Sequence, residues 1–184
     1  PEIDAKRVQL FKELIPAPKR MAVVTDNVDR GVPQHVKYLN AAGKTLGVAI
    51  SAQLEVREPK DFDAVLAAAD AKSLGAIFMV STSQTHQVRQ RVIEYALANR
   101  LPSMCEFKQL ARAGCLLSYG PTYDEMDQRN AAQIDKILRG TPVGELPIEQ
   151  PTKFELVVNL KTAKALGITI PQSLLLRADE VIEP

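Results

Sequence analysis

The sequence has few cysteines, and none of them lies in a metal-binding pattern. Cys105 and Cys115 are the only cysteines among 184 residues, too few for the disulfide framework of a small secreted domain. No cysteine and histidine share zinc-ligand spacing, and His35 and His86 lie far apart in the chain. We therefore expect no bound metal and two ordinary, partly buried thiols.

The sequence also lacks a charge excess, a long apolar run and a nucleotide-binding motif. Its formal net charge is +1, so nothing favours nucleic acid or a membrane surface as a partner. No apolar stretch approaches the length of a membrane span, and neither GxGxxG nor a complete P-loop occurs. No order of Ser, Cys, His and Asp marks a nucleophile and its base. We expect no cofactor, no catalytic residue and no enzymatic activity.

The chain begins at Pro1 and contains no secretion signal. We expect it to be a piece of a longer protein, so the missing signal does not bear on where that protein works. Its length is enough for one sizeable core. Hydrophobic residues make up 46% and charged residues 24% of the chain, as in ordinary globular domains.

Apolar strands alternate with amphipathic helices over most of the sequence. The predicted strands are Met21–Val24, Val48–Val56, Ala76–Val80, Leu101–Cys105 and Cys115–Tyr119. The third of these is apolar at every position, which is typical of a strand covered on both faces. The alternation predicts βαβ units, that is, an α/β fold with a parallel sheet and helices on both faces. Thr122 and Glu125 have the spacing of a capping box, which predicts a helix from about Tyr123.

The same pattern predicts that the two cysteines do not form a disulfide. Cys105 would lie at the carboxyl end of one strand and Cys115 at the amino end of the next. The two would then be about a strand length apart, on the order of 10 Å or more, which is beyond the reach of a disulfide.

The alternation ends after Gly140. Pro142, Pro147 and Pro151 indicate that residues 141–153 form a linker-like crossing segment. One strand and two short helices are predicted beyond it, at Phe154–Val158, Leu160–Leu166 and Pro171–Ala178. We divide the chain into an α/β ligand-binding lobe, residues 1–140, and a crossing segment with its tail, residues 141–184.

The stretch from Ser118 to Ile182 resembles a known family. It contains the runs SYGP at 118–121, LPIEQPTKFELVVN at 146–159, KALGITIP at 164–171 and LLRADEVI at 175–182. These runs resemble the tail of a family of substrate-binding proteins of ABC-type importers, whose better-known members handle tryptophan or tyrosine. The resemblance extends over nearly the whole chain and is strongest from Leu101 to Pro184.

The resemblance implies a flavodoxin-like lobe, the second lobe of a type I periplasmic-binding protein, which starts with a hinge-side helix. Its tail would return to a first lobe that this sequence does not contain. The tail's apolar residues would then pack on this lobe, pair with a second copy or stay mobile; they are Phe154, Leu156, Val158, Leu174 and Leu176.

The resemblance also implies a function. The parent protein would capture a small organic solute, such as an amino acid, outside the cytoplasmic membrane or in the periplasm. It would close around the solute at a hinge and deliver it to the membrane permease of an ABC importer. A ligand-sensing domain of a regulator or receptor is one alternative, and a flavodoxin-like enzyme is another.

Ligands of open parallel sheets bind beyond the carboxyl ends of the strands. This rule selects four polar loops, 25–30, 81–87, 106–108 and 120–124. From these loops and their borders we select the candidate ligand-binding residues Thr25, Asp26, Asn27, Ser81, Thr82, Ser83, Gln84, Glu106, Tyr119 and Tyr123.

Each candidate has an ordinary structural interpretation as well. Residues 25–27 could form a turn, and residues 81–84 could cap the next helix. Glu106 could pair with Arg112 rather than with a ligand amine. Tyr119 and Tyr123 could present an aromatic ring and a hydroxyl to a flat ligand, but Tyr119 ends a strand and could instead belong to the core.

Overall fold

The computed structural model describes residues 2–15 and 20–184. Its strands are Met21–Asp26 (β1), Ile50–Val56 (β2), Ala76–Met79 (β3), Ser103–Cys105 (β4), Leu117–Pro121 (β5), Phe154–Asn159 (β6) and Glu180–Ile182 (β7). Its α-helices are Glu2–Leu14 (α1), Val32–Leu46 (α2), Phe62–Ala68 (α3), Ser83–Ala98 (α4), Lys108–Arg112 (α5), Tyr123–Leu138 (α6), Leu160–Leu166 (α7) and Gln172–Leu175 (α8). Short 3-10 turns occur at Pro59–Asp61, Ala71–Ser73 and Val143–Glu145.

One seven-stranded sheet in the order β2-β1-β3-β4-β5-β6-β7 organises the described residues. Strands β1 to β5 are parallel, and their order 2-1-3-4-5 is the flavodoxin-like order. The predicted fold class is therefore confirmed. Strand β6 runs antiparallel to β5, and β7 is parallel to β6.

The sheet separates two hydrophobic clusters, as expected for a sheet with helices on both faces. Neighbouring residues of β1 divide between them: Met21 and Val23 join one cluster, and Ala22 and Val24 join the other. The first cluster includes residues of α1, α2, α7 and α8, and the second includes residues of α3 and α4. Both faces of the sheet are therefore covered, which explains the continuous apolar runs in the sequence.

The residues after Gly140 extend this sheet through β6 and β7. Of the apolar tail residues, Leu156, Val158 and Leu174 are buried in the lobe, whereas Phe154 and Leu176 remain 36% and 79% exposed. The segment that leaves the sheet is 122–153, which contains α6 and the proline-rich return. Whether this segment reaches a first lobe stays a prediction.

Helix α6 differs from the other long helices because it contains no buried residue. Its apolar side chains Ile134, Ile137 and Leu138 are 55%, 39% and 81% exposed. The start of α6 is as predicted, since the Thr122 hydroxyl accepts a hydrogen bond from the Glu125 N–H. No helix in residues 2–15 and 20–184 is long and apolar enough to cross a bilayer.

The predicted absence of a disulfide is wrong. Cys105 and Cys115 are bonded, with their Cα atoms 6.4 Å apart. The prediction assumed that both cysteines lie in extended strands of full length. Instead β4 has three residues and β5 begins at Leu117, two residues after Cys115. Cys115 therefore lies in the turn before β5, where its N–H donates to the Leu110 carbonyl and its side chain can reach Cys105.

Candidate functional site

A cleft opens beyond the carboxyl ends of β3 and β4, between the starts of α4, α5 and α6. Its volume of about 720 Å³ lies in the range of small-molecule sites. Its lining combines hydroxyl groups, one carboxylate, one imidazole and two aromatic rings. The lining residues are Asp29, Ser81, Thr82, Ser83, His86, Phe107, Gln109, Leu110 and Tyr123.

The start of α4 forms one side of the cleft. Thr82 caps this helix in a reciprocal box with Thr85, because each side chain accepts a hydrogen bond from the other residue's N–H. The N–H groups of Ser83 and Gln84, in the first turn, have no acceptor in the part of the chain that the structure describes. Two free donors at the positive end of a long helix dipole make this edge suitable for a carboxylate or another anion.

An aromatic pair forms the opposite side. The rings of Phe107 and Tyr123 stack with centroids 4.6 Å apart, and Tyr123 is 38% exposed. Burial, followed by the negative charges of Glu106 and Asp127, raises the pKa of Tyr123 above its usual value. The phenol therefore stays protonated at neutral pH, and this side offers a flat apolar surface with a neutral hydrogen-bonding group.

Asp29 is the only carboxylate in the cleft lining. Its Oδ1 accepts a hydrogen bond from the Gly31 N–H at 2.7 Å, and as a charged acceptor the carboxylate can bind a ligand amine. The neighbouring Asp26 has a structural task, since its Oδ1 accepts from the N–H groups of Val28 and Asp29. This is the turn expected of an Asx residue after a strand.

Glu106 is buried beneath the cleft and does not line it. Its Oε1 accepts a hydrogen bond from Arg7 Nη1 at 2.7 Å, and its Oε2 accepts one from the Ser81 N–H at 2.9 Å. Arg112, the partner considered for Glu106 from the sequence, instead forms a bidentate ion pair with Glu180 of β7. The contact between Glu106 and a ligand stays a prediction, and both oxygens of its carboxylate already have protein partners.

The same region brings together three groups of metal-ligand type. Donor atoms of Asp4, His35 and Glu106 lie within 4.8 Å of one another. Arg7, however, donates from Nη1 to both carboxylates, at 3.0 Å to Asp4 and 2.7 Å to Glu106. The Arg7 guanidinium supplies the positive charge that a metal ion would bring. We therefore interpret these three groups as the surroundings of the Arg7 side chain and not as metal ligands.

The cleft contains four of the ten predicted ligand-binding residues. These are Ser81, Thr82, Ser83 and Tyr123. The other six are outside its lining: Thr25, Asp26, Asn27, Gln84, Glu106 and Tyr119. Thr25 is buried, Asn27 is exposed, and Tyr119 stacks on Phe154 next to α1.

Five lining residues were not among the predicted ones: Asp29, His86, Phe107, Gln109 and Leu110. The first three lie within the loops selected by the strand-end rule, so a broader reading of that rule would have found them. Gln109 and Leu110 lie in the first turn of α5. Nothing in the sequence marks them, because their exposure to the cleft depends on how α5 packs.

Two further grooves lie elsewhere on the surface. One lies between α1 and α2, includes Tyr38 and Leu46, and is more apolar than the cleft. It is not at the strand ends, so we do not consider it the ligand site. The other groove lies between α6 and its return segment and includes Met126, Val143 and Ile148.

A sequence profile for the family described as ABC transporter substrate binding protein matches residues 2–182. The chain belongs to this family. The resemblance seen in the sequence is therefore confirmed. No match was found among curated protein sequences.

Solved structures of substrate-binding proteins share this fold. A conserved domain protein from Vibrio cholerae superposes with a TM-score of 0.91 at 22% identity, covering 97% of this chain and 60% of its own. An ABC domain in complex with L-Trp from Streptococcus pneumonia gives 0.91 at 20% identity, covering 98% and 60%. The ligand-free, open structure of CD0873, a substrate-binding protein with adhesive properties from Clostridium difficile, gives 0.71 at 18% identity, covering 97% and 59%.

These superpositions establish a common fold. This ABC substrate-binding chain spans about three fifths of the length of each of these three structures.

Proposed function

We propose that this chain forms one wall of the ligand cleft of a two-lobed solute-binding protein, and that the solute is an amino acid or a similar small organic acid. The observation that carries the proposal is the cleft itself. It places free N–H donors of α4, the Asp29 carboxylate and the Phe107–Tyr123 ring pair around one volume. An amino acid with a flat side chain offers a carboxylate, an amine and a ring to match them.

We propose further that the protein delivers its solute to the membrane permease of an ABC importer and works outside the cytoplasmic membrane. The family assignment supports the permease as partner. The buried Cys105–Cys115 disulfide supports the location, because such bonds persist in oxidising compartments. The proposal assigns no reaction to the cleft, since the nearest buried charges, Glu106 and Arg7, pair with each other.

The exposed side chains of Ile134, Ile137 and Leu138 form one surface, which we call the α6 face. We propose that the first lobe covers this face. This apolar face and the adjoining groove are unusual on a folded surface. The matched structures have room for a further lobe, because about two fifths of each lies outside the match. We propose that residues 122–153 cross to that lobe and return. Without it, the face could pair two copies of this chain.

The direct test is calorimetric binding of L-tryptophan and a panel of other amino acids to the longer protein that carries a first lobe. We expect Tyr123→Ala to weaken binding by about tenfold, because one aromatic contact contributes a binding free energy of about that size. Tyr38→Ala, which changes the α1–α2 groove, is the matched control and should leave affinity unchanged. The proposal fails if no member of the panel binds, or if the two substitutions weaken binding equally.

A further inference from the structure

A buried network of charges lies directly beneath the cleft and joins its loop to α1. Glu106 is 5% exposed. One of its carboxylate oxygens accepts from the Ser81 N–H, and the other accepts from Arg7. Ser81 begins the loop that leads into α4, so the position of this carboxylate fixes the backbone at the edge of the cleft.

Arg7 is held on several sides and makes the network rigid. It is 3% exposed. Besides Glu106, Nη1 binds Asp4 at 3.0 Å, and Nε donates to the Tyr119 carbonyl at 2.9 Å. Its guanidinium also lies 5.9 Å from the centre of the Phe78 ring. Helix α1, strands β3 and β5 and the cleft loop are therefore tied together through one side chain.

The network contains one negative charge too many when His35 is neutral. Asp4 and Glu106 bring two carboxylates, whereas Arg7 brings one positive charge. A buried surplus charge is unfavourable, so the nearest ionisable group matters. That group is His35 of α2, whose side chain is 40% exposed and whose Nδ1 lies 3.6 Å from Asp4 Oδ1. This distance is too long for a full hydrogen bond but short enough for an ion pair.

The titration of both partners follows from this geometry. Its contact with Asp4 raises the pKa of His35 above the usual value, although burial works in the opposite direction. Burial alone would raise the pKa of Asp4, but His35 and Arg7 outweigh it and hold that pKa below its usual value.

None of the charged groups described on β1 and β2, the strands against which α2 also packs, contacts His35. The Asp26 carboxylate of β1 accepts from backbone N–H groups, and Glu55 of β2 pairs with Arg57. The charged groups that act on His35 are Asp4, Glu106 and Arg7.

We propose that Glu106 is a positioning residue of the cleft, which holds the Ser81 backbone from below, and that protonation of His35 tightens this hold. When His35 is charged, it forms an ion pair with Asp4, and the Arg7 guanidinium then pairs mainly with Glu106. When His35 is neutral, the two carboxylates compete for Arg7 and the anchor under Ser81 loosens. The inference deepens the proposed function, since it adds a pH-dependent component to the same cleft.

Amide hydrogen exchange measured by NMR tests the inference without a ligand. The protection factor of the Ser81 N–H should be roughly two- to fivefold higher at about pH 5.5 than at about pH 8. This factor corresponds to the free energy that one partly exposed ion pair contributes. The Val23 N–H of the central strand β1 serves as the internal reference and should not change by this factor. A change shared by both amides would indicate altered global stability and would overturn the inference.

Two matched variants complete the test. His35→Gln should abolish the pH dependence at Ser81. His86→Gln removes the only other histidine of the chain and should preserve it. The inference is wrong if wild-type Ser81 shows no pH dependence, or if the dependence survives in His35→Gln.

Binding of L-tryptophan by the longer protein distinguishes this inference from the proposed function. We expect tighter binding at about pH 5.5 than at about pH 8, with the difference removed by His35→Gln. If L-tryptophan and the other amino acids do not bind wild-type protein at either pH, the proposed ligand class is wrong. In that case the hydrogen exchange of the Ser81 N–H alone decides whether Glu106 positions the cleft loop.

Discussion

At the scale of single residues, Gly120 shows how closely two backbones approach beside the cleft. A Cβ added there would lie 1.9 Å from the Glu106 carbonyl oxygen and 2.9 Å from its carbon. Both atoms belong to the backbone and cannot rotate away. We expect Gly120→Ala to destabilise the chain by about 2–3 kcal/mol, as overpacking does elsewhere.

Urea denaturation measures this cost, and Gly144→Ala is the matched control. A Cβ at Gly144 meets no atom within 4 Å, so this substitution should be close to neutral. Equal costs at the two positions would show that the close approach at Gly120 is not what makes glycine necessary there.

Glu125 is the residue whose ionisation ties the 122–153 segment together. The Thr152 side chain, then the Lys153 N–H and Arg129, lower the pKa of Glu125 to about 2. Since the folded-state pKa lies below the ordinary value of 4.5, the carboxylate stabilises the chain above that value. This contribution is lost as pH falls from about 4.5 towards about 2.

Thermal denaturation over this acid range provides the test. Glu125→Gln should flatten the decline in melting temperature between about pH 4.5 and about pH 2, because the ionisable contribution is gone. Glu145→Gln, on the 3-10 turn of the same segment, should leave the decline as in wild type. Superimposable curves for wild type and Glu125→Gln would contradict the assignment.

Local sequence patterns predicted the caps and part of the cleft, but not the pairing of distant charges. Thr82 and Thr122 were identifiable because a cap is set by residues three positions apart. Ser81 was identifiable because it follows a strand. The partner of Glu106 is Arg7, 99 positions away, and no local pattern connects the two.

At the scale of elements, the β4–α5–β5 unit carries the disulfide that the sequence did not predict. Its closed loop spans a sequence separation of 10, so chain entropy gives about 2–3 kcal/mol of stabilisation. We expect reductant, or the Cys105→Ala/Cys115→Ala double variant, to lower the free energy of unfolding by this amount.

Urea denaturation with and without reductant checks the value. The double variant is the control, because reductant should not change its stability. Titration of the unfolded, unreduced protein should find no free thiol. Two titratable thiols would restore the original expectation of separate cysteines.

The α6 face makes a second prediction at this scale. Leu138 and Leu176 are 81% and 79% exposed, so replacing either by Gln in this chain should change stability by less than about 0.5 kcal/mol. In the longer protein, Leu138→Gln should cost about 1–3 kcal/mol because the proposed first lobe buries that side chain. Leu176→Gln should remain neutral there.

Thermal denaturation of both chain lengths, each with both variants, gives the comparison. A neutral Leu138→Gln in the longer protein would mean that the first lobe does not cover the α6 face. A second copy of this chain would then be the remaining candidate, and sedimentation analysis would detect it.

Periodicity predicted where most elements lie, but not how the last strands join the sheet. The strand at Phe154–Val158 was expected from its apolar run, and the structure extends it to Asn159. Its pairing with β5 could not be read from that run, because an apolar strand does not specify its neighbour. Strand β7 has only three residues, Glu180–Ile182, which is too short for a strand pattern to show in the sequence.

At the scale of the whole molecule, the proposed function makes this chain one wall of a two-wall cleft. A ligand present at about 100 times its dissociation constant stabilises its protein by roughly 2.7 kcal/mol. In the longer protein this should raise the melting temperature by roughly 5 °C or more. The chain alone, with one wall of the cleft, should show a much smaller shift under the same conditions.

Differential scanning fluorimetry of both proteins with the same amino-acid panel makes the measurement. Glycine, which lacks a side chain for the Phe107–Tyr123 pair, is the matched ligand control. A shift of equal size in both proteins would mean that the site lies wholly within residues 1–184, and the two-wall proposal would have to be abandoned.

The antiparallel pairing of β5 with β6 has a consequence for the speed of folding. Pro121 lies opposite Phe154, so the two strands are the arms of a hairpin whose connection is the whole 122–153 segment. Closing so long a connection costs more chain entropy than closing a tight turn, and distant contacts form slowly. Strand β6, and with it β7, should therefore join the sheet late on the folding pathway, and a short turn in place of 122–153 would bring them in early.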